Sequence, residues 1–311
     1  MANFRGELIP VLRFTYTGAD GEVIPEEATH ILVQARKVRF HAFRFHYNIV
    51  EVICHEIVEE VEYWAFYNCY SLRRVIMPNV KIVGGSAFYD CADLEDVECD
   101  KLEIIEDEAF SGFELLRSIN LPSARIVCRM ALGFCEALTD VKFGNRLEEI
   151  EEISFCNCKS LERITIPLKD GLFSDDNIFQ ACESLRQVDL IEGEVHETIA
   201  ALHFEEWRND MNEEIDSINQ ILPHVSAGEV WGEDVDSDEM DPGEKARTIR
   251  RWIRSVLDKI ILYQAEHRRL LEEDVVTILE HLIPNDDIKR NNVLPFLELP
   301  SYTFERDDEE I

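Results

Sequence analysis

The feature that constrains this chain most is a register repeated seven times, with anchors at Phe43, Phe66, Phe88, Phe110, Leu132, Phe155 and Phe179 and steps of 23, 22, 22, 22, 23 and 24 residues. Three residues beyond the anchors stand His46, Cys69, Cys91, Phe113, Cys135, Cys158 and Cys182, and three further on Ile49, Leu72, Leu94, Leu116, Leu138, Leu161 and Leu185. Another three residues along, a branched side chain (Val52, Val75, Val97, Ile119, Val141, Ile164, Val188) is followed two later by a second apolar one. That alternation is the period of a β-strand. Apolar pairs eight and five residues before the first six anchors, from Ala35 and Val38 to Leu147 and Ile150, complete the unit. In the seventh turn, Pro167–Asn177 breaks the rule and reads as an inserted loop. A turn this short cannot bury its own apolar side, so the turns must stack.

The cysteines then acquire a packing role. Cys69, Cys91, Cys135, Cys158 and Cys182 share one register position, which His46 and Phe113 occupy in other turns; a set of ligands or nucleophiles would not tolerate those exchanges. Cysteine is small and readily buried, so the five form an expected structural core ladder. Cys54 and Cys99 fall at strand positions held elsewhere by Met77, Leu121 and Ile166, and are also expected in the core. Cys128 and Cys156 stand where other turns carry polar or small residues, which makes them the candidates for exposed, modifiable thiols.

Other chemical motifs fail on spacing. Cys156 and Cys158 form a Cys-x-Cys pair with no second pair at zinc-site distance. Cys54 and His55, adjacent in a strand, project to opposite faces. Gly84-Gly85 lacks the lysine of a phosphate loop and reads as a bend. Asp234, Asp236 and Asp238 alternate as in a calcium loop, but Glu239 replaces the glycine and Lys245 the bidentate glutamate. No catalytic residue, metal or cofactor is expected.

With 31 basic against 64 acidic residues, the net charge of −33 disfavours nucleic acids and anionic membranes and leaves proteins as the expected partners. No apolar run reaches the length of a membrane helix, and the opening "MANFRGELIP" has no apolar block of signal-peptide length. Nine cysteines, an odd number, read as reduced thiols, so the expected address is intracellular and cytoplasmic.

The order alanine-phenylalanine, cysteine, leucine in "AFYNCYSL" and "AFYDCADL" resembles the BspA-type leucine-rich repeat class, over about residues 30–192. The resemblance implies a leucine-rich repeat solenoid of the α/β class, with mostly short parallel strands and irregular or short helical arms, followed by C-terminal α-helices. The helical tail is similar to those of repeat-protein families of unicellular algae, which assigns no activity. The expected division is an N-terminal cap (1–34), a solenoid of about seven turns (35–192), a capping helix (193–225), an acidic linker (226–244) and a helical C-terminal region (245–311). In the cap, Pro10–Tyr16 alternates as a strand, and Gly18–Pro25 is expected to supply a turn and a second strand. In the capping helix, Phe204, Trp207, Met211, Ile215, Ile218 and Leu222 trace one side, ending before Pro223.

Strands of such a solenoid line its concave side. The residues expected to face outward there are Arg73, Arg74, Glu95, Asp96, Glu98, Arg117, Asp140, Lys142, Glu162, Arg163, Arg186 and Asp189, readable either as cross-strand ion pairs or as a partner-binding surface. The segment 245–269 reverses the charge of the chain, with eight Lys or Arg against Asp258 and Glu266. Its apolar stripe (Ile249, Trp252, Ile253, Val256, Leu257, Ile260) is expected to dock on the acidic body or to support self-association. A further helix is expected over Asp274–Leu282, and "LPFLELP" in the tail resembles the leucine-proline spacing of an F-box segment. The expected function is a non-enzymatic protein-interaction scaffold. Its alternatives are an adaptor recruiting other machinery through residues 284–304 and a thiol switch or enzyme using Cys128 or Cys156.

Overall fold

The computed structural model describes residues 11–191, 193–202, 204–228 and 243–270. The acidic run from Glu233 to Asp241, the segment Asp274–Leu282 and the proline-rich tail lie outside the described residues. The strands are β1 (Arg13–Tyr16), β2 (His30–Val33), β3 (Lys37–Val38), β4 (Glu51–Cys54), β5 (Glu60–Val61), β6 (Arg74–Ile76), β7 (Ile82–Val83) and β8 (Asp96–Glu98). They continue as β9 (Ile104–Ile105), β10 (Ser118–Leu121), β11 (Ile126–Val127), β12 (Asp140–Phe143), β13 (Glu149–Ile150), β14 (Arg163–Ile166) and β15 (Gln187–Leu190). Three helices follow: α1 (Glu194–Ala200), α2 (Glu205–Ile221) and α3 (Glu244–Leu270).

The strands form a parallel β-solenoid. Its front carries β1-β2-β4-β6-β8 and, separately, β10-β12-β14-β15; its back carries β3 through β13 as one six-stranded sheet. Register follows the sequence repeat, with Val52 opposite both Ile31 and Val75, and Val141 opposite Ile119 and Ile164. The apolar pair before each anchor builds the back sheet: Val38, Val61, Val83, Ile105, Val127 and Ile150 are all fully buried. The front sheet parts between β8 and β10, at the turn where Phe113 takes the cysteine position and its ring lies 5.5 Å from Phe110.

Between the sheets the anchors stack: Phe43 to Phe66 at 4.8 Å and 2°, Phe66 to Phe88 at 4.9 Å and 8°. Each buried phenylalanine contributes about 1.5–3 kcal/mol relative to an exposed one. The connecting arms hold left-handed residues two before and two after most anchors, such as Trp64 (φ 57°) and Asn68 (59°) around Phe66. Side chains rarely adopt this region. It is sustained here because alternate arm N–H groups reach the next turn: Trp64 donates to Gly85 O (3.1 Å), Phe66 to Ala87 O (2.7 Å) and Asn68 to Tyr89 O (2.8 Å). Close stacking also explains two glycines, since a Cβ at Gly84 would meet Tyr63 N at 2.6 Å and one at Gly144 would meet Pro122 O at 2.0 Å.

The expected second strand in Gly18–Pro25 is not formed. Gly18 and Gly21 hold φ of 70° and 75°, and the Glu22 carboxylate accepts N–H bonds from Thr17 (3.0 Å) and Gly18 (2.8 Å), taking donors that a ladder would need. β1 pairs instead with β2, in parallel, from Arg13 opposite His30 to Tyr16 opposite Val33.

At the other end the expected single capping helix is two. α1 stops at Ala200, and Phe204 is an extended N-cap (φ −98°, ψ 139°) outside α2, which leaves it exposed while Met211 and Ile218 are buried. Pro223 sits in a 3-10 turn, Leu222–His224, that prolongs α2. The basic helix folds back, and its whole predicted apolar stripe is buried. Arg247 and Arg250 reach Asp176 at 3.0 and 2.6 Å, and Arg254 reaches Asp170 at 3.0 Å, so the inserted loop of the seventh turn receives α3. Three groups close the last turn. Asn219 Oδ1 accepts from Val188 N (2.8 Å), Ala227 O accepts from Ala181 N (2.8 Å), and the buried Lys245 Nζ donates to Leu185 O (2.7 Å). No helix among the described residues is long and apolar enough to cross a membrane.

Candidate interaction surface

The alternation that buries Val75, Ile119 and Val141 turns the intervening residues outward. Arg74, Asp96, Glu98, Lys142 and Arg163 are exposed on the strands themselves, Asp140 and Asp189 are part-buried there, and Arg73, Glu95, Arg117, Glu162 and Arg186 are exposed one residue before their strands, in the turn that leads into the same face. Parallel register brings several together across strands. Arg74 meets Asp96 at 3.0 Å and Glu98 at 2.5 Å, Arg186 meets Glu162 at 2.7 Å, and Arg163 meets Asp189 at 3.5 Å. Lys142 reaches Asp140 on its own strand at 3.8 Å, and Arg73 reaches Asp93 at 3.9 Å. Glu95 and Arg117 flank the break between β8 and β10 and make no ion pair among the described residues. Exposed pairs of this kind contribute at most about 1 kcal/mol each, so little stability depends on the stripe.

A second surface, which the sequence reading missed, lies on the arms of the first turns. Phe40 stacks on His41 at 3.5 Å and lies tilted by 30° against Tyr63 at 4.2 Å, and His41 lies parallel to Trp64 at 5.0 Å. The Arg44 guanidinium sits over three rings, 4.6 Å from Phe45, 5.0 Å from Trp64 and 5.2 Å from Tyr67. Tyr47 remains 51% exposed and Tyr63 47%. Burial and the neighbouring Arg44 charge lower the His41 pKa. The signal was available in the columns beside the anchors: Phe40 and Tyr63, His41 and Trp64, Tyr47 and Tyr70 are register equivalents.

The thiols form a dry ladder. Cys69, Cys91, Cys135, Cys158 and Cys182 are fully buried, and each Sγ donates to the carbonyl of the preceding turn's anchor, from Cys69 to Phe43 O (3.1 Å) to Cys182 to Phe155 O (3.0 Å). Burial pushes Cys69 up to about 12 and Cys91, Cys135 and Cys158 well above the ordinary thiol value. Cys54 and Cys99 are buried in the core, while His55 is exposed, so no Cys-His pair forms.

The two cysteines expected at the surface differ from that expectation. Cys156 is only 7% exposed, because Met130 and Phe134 of the preceding arm rise beside it, and burial raises its pKa to about 11. Cys128 is half-buried, and burial together with the Glu151 and Asp107 carboxylates raises it to about 12. A thiolate nucleophile at neutral pH needs the opposite environment. Asp107, Cys128 and Glu151 bring one donor atom each within 4.8 Å of one another. Three donors are one short of a closed tetrahedral zinc site, and Glu151 is already engaged by Arg129 N at 3.0 Å.

Comparison with known proteins agrees with the repeat. The model of the BspA type leucine rich repeat region matches in six copies, over residues 27–129 and 103–221, which together exceed half of the chain. Among solved structures, the chain is similar to a leucine rich cell surface protein of Faecalibacterium prausnitzii, at 26% identity and a TM-score of 0.45, over 57% of this chain and 47% of that one. It is also similar to the leucine rich repeat protein of T. pallidum, at 28% identity and a TM-score of 0.42, over 45% of this chain and 69% of that one. The chain thus spans about half the length of the first of these. A search of curated proteins finds no match. On six matched copies of the repeat, the chain belongs to the BspA-type leucine-rich repeat family.

Proposed function

We propose that this chain is a non-enzymatic scaffold that holds a protein partner against its strand face. The repeats (35–192) serve as the recognition body between the N-terminal cap (1–34) and the described segments 193–202, 204–228 and 243–270, which close and brace it. The observation that carries this reading is the exposed charged stripe, in which Glu95 and Arg117 make no ion pair among the described residues, beside the break in the front sheet. Repeat solenoids bind through such extended faces. The net charge of −33 favours a partner with basic or mixed surface over a nucleic acid. Nine free cysteines support an intracellular setting. The apolar stripe of α3 is spent within the chain, so self-association through that stripe requires it to undock.

Reversing Arg73, Arg117 and Arg186 to glutamate tests the proposal. Partner capture, measured by quantitative mass spectrometry against the wild-type chain, falls while the melting temperature stays within a few degrees; unchanged capture overturns the strand-face reading. A second reading rests on the aromatic arm surface, because tyrosine and tryptophan dominate binding hot spots. If Tyr63→Ala with Tyr70→Ala removes the partner and charge reversal does not, the arms are the contact face.

A further inference from the structure

The residue following each anchor forms its own column along the arms: Arg44, Tyr67, Tyr89, Ser111, Gly133, Cys156 and Gln180. Its first three members are planar and stacked. The Arg44 guanidinium lies 5.2 Å from the Tyr67 ring, and Tyr67 lies 5.2 Å from Tyr89 at an interplanar angle of 9°. Ser111, Gly133 and Cys156 have no plane to continue the stack. Where the rings are missing, the surface opens into a cavity of about 400 Å³.

Register explains its walls. Met130 and Ile153 hold the position two before the anchor, Phe134 and Asn157 the position two after, and all four have left-handed φ between 49° and 59°. In the second turn the flanking Trp64 stands 6.1 Å from the Tyr67 ring, so the same slot is filled by an aromatic side chain. In the sixth turn the equivalents of Trp64 and Tyr67 are Ile153 and Cys156, neither of which carries a ring. The volume falls in the usual range for small-molecule pockets, and a cavity of about 150 Å³ already accepts benzene.

Charge narrows the class of ligand. Arg129 at the edge is taken by Glu152 at 2.8 Å and Glu108 at 4.0 Å, and Asn157 donates from Nδ2 to Glu136 at 3.4 Å. With Lys159 on Glu136 at 3.1 Å, the surroundings carry three carboxylates against two cations, and Arg129, the one charged residue in the wall itself, is already paired, which disfavours an anion. We infer that this cavity is a binding site for a small planar aromatic compound, neutral or cationic, whose ring takes the place of the side chains missing from the column above Cys156.

The test titrates the full chain with indole, tryptamine and indole-3-acetate, following binding by ligand-detected NMR and calorimetry. Indole and tryptamine bind, and indole-3-acetate binds at least several-fold more weakly. Cys156→Tyr, which puts a ring into the slot, lowers indole affinity tenfold or more while the melting curve stays cooperative. Should that variant fail to fold, Phe134→Ala decides: its ring is 39% exposed, and removing it lowers indole affinity about three- to tenfold. No binding at millimolar indole, or equal binding by wild type and a folded Cys156→Tyr or Phe134→Ala variant, overturns the site. Equal affinity for the anion overturns its charge preference.

Discussion

The two ends of the solenoid solve one problem by different means. Each end exposes an unpaired backbone edge and an apolar cross-section, which invite association with other chains. At the N-terminal end, β1 adds one more parallel strand in register with β2, and Tyr16 covers the first anchor edge-on at 5.0 Å. The C-terminal end has no such strand among the described residues. Its closure comes from side chains and isolated backbone groups: Asn219, Ala227 and Lys245 complete the ladder bonds, while α2 and α3 cover the apolar surface. The first solution extends the repeat and is local in character. The second depends on residues as many as 84 positions from their partners, so it is the end more sensitive to single substitutions.

That asymmetry is open to attack at both ends. The largest effect is expected from Trp252→Ala, which removes a buried ring and its bond to Glu214 O (3.0 Å); a loss of about 3–5 kcal/mol should appear in denaturant unfolding. Amide exchange should quicken in β15 well before β2, and a uniform change would show that the ends are not independent. Lys245→Met keeps the stem but leaves Leu185 O without its cation, with an expected cost of about 1–3 kcal/mol by the same measurement.

A smaller effect is expected from acid. Burial raises the Asp176 pKa, but the bonds from Arg247 and Arg250 outweigh it and hold the carboxyl below its ordinary 3.8. Its folded value is depressed, so the stabilisation is present above pH 3.8 and fades as pH falls through the lower folded value. The contribution is of order 1 kcal/mol, since the pair is partly solvated. Exchange protection at the C-terminal end should drop in that window for wild type, and Asp176→Asn should abolish the step. The smallest effect is Glu22→Ala at the opposite end. Losing its bonds to Thr17 N and Gly18 N should cost about 0.5–1 kcal/mol, seen as faster exchange in β1 with β15 unaffected.

Much of the front of the molecule could be read in advance from period alone. Strand positions, parallel pairing, the buried anchors and the cysteine column follow from equivalent residues recurring in equivalent places, because a stacked repeat gives each register position one environment. Features at right angles to the core register escaped. The aromatic pairs of the arms recur in register beside the anchors, but how they stack, and where the column opens above Cys156, depend on left-handed backbone at residues such as Trp64, Phe134 and Ile153. Cys156 was misjudged for the same reason: its own position is polar in other turns, but Met130 and Phe134 next to it enclose the thiol.

Periodic burial is a property of the linear order of residues, so composition and spacing sufficed to specify a solenoid, the depth of its core and the acidic character of its surface. Where α3 rests was settled by a meeting of distant parts. The basic face of residues 247–254 and the carboxylates of Asp170 and Asp176 come within 3 Å only because the inserted loop and the last turn hold them there. Coulombic attraction has no sequence period, and it selects partners only after folding has set the distances.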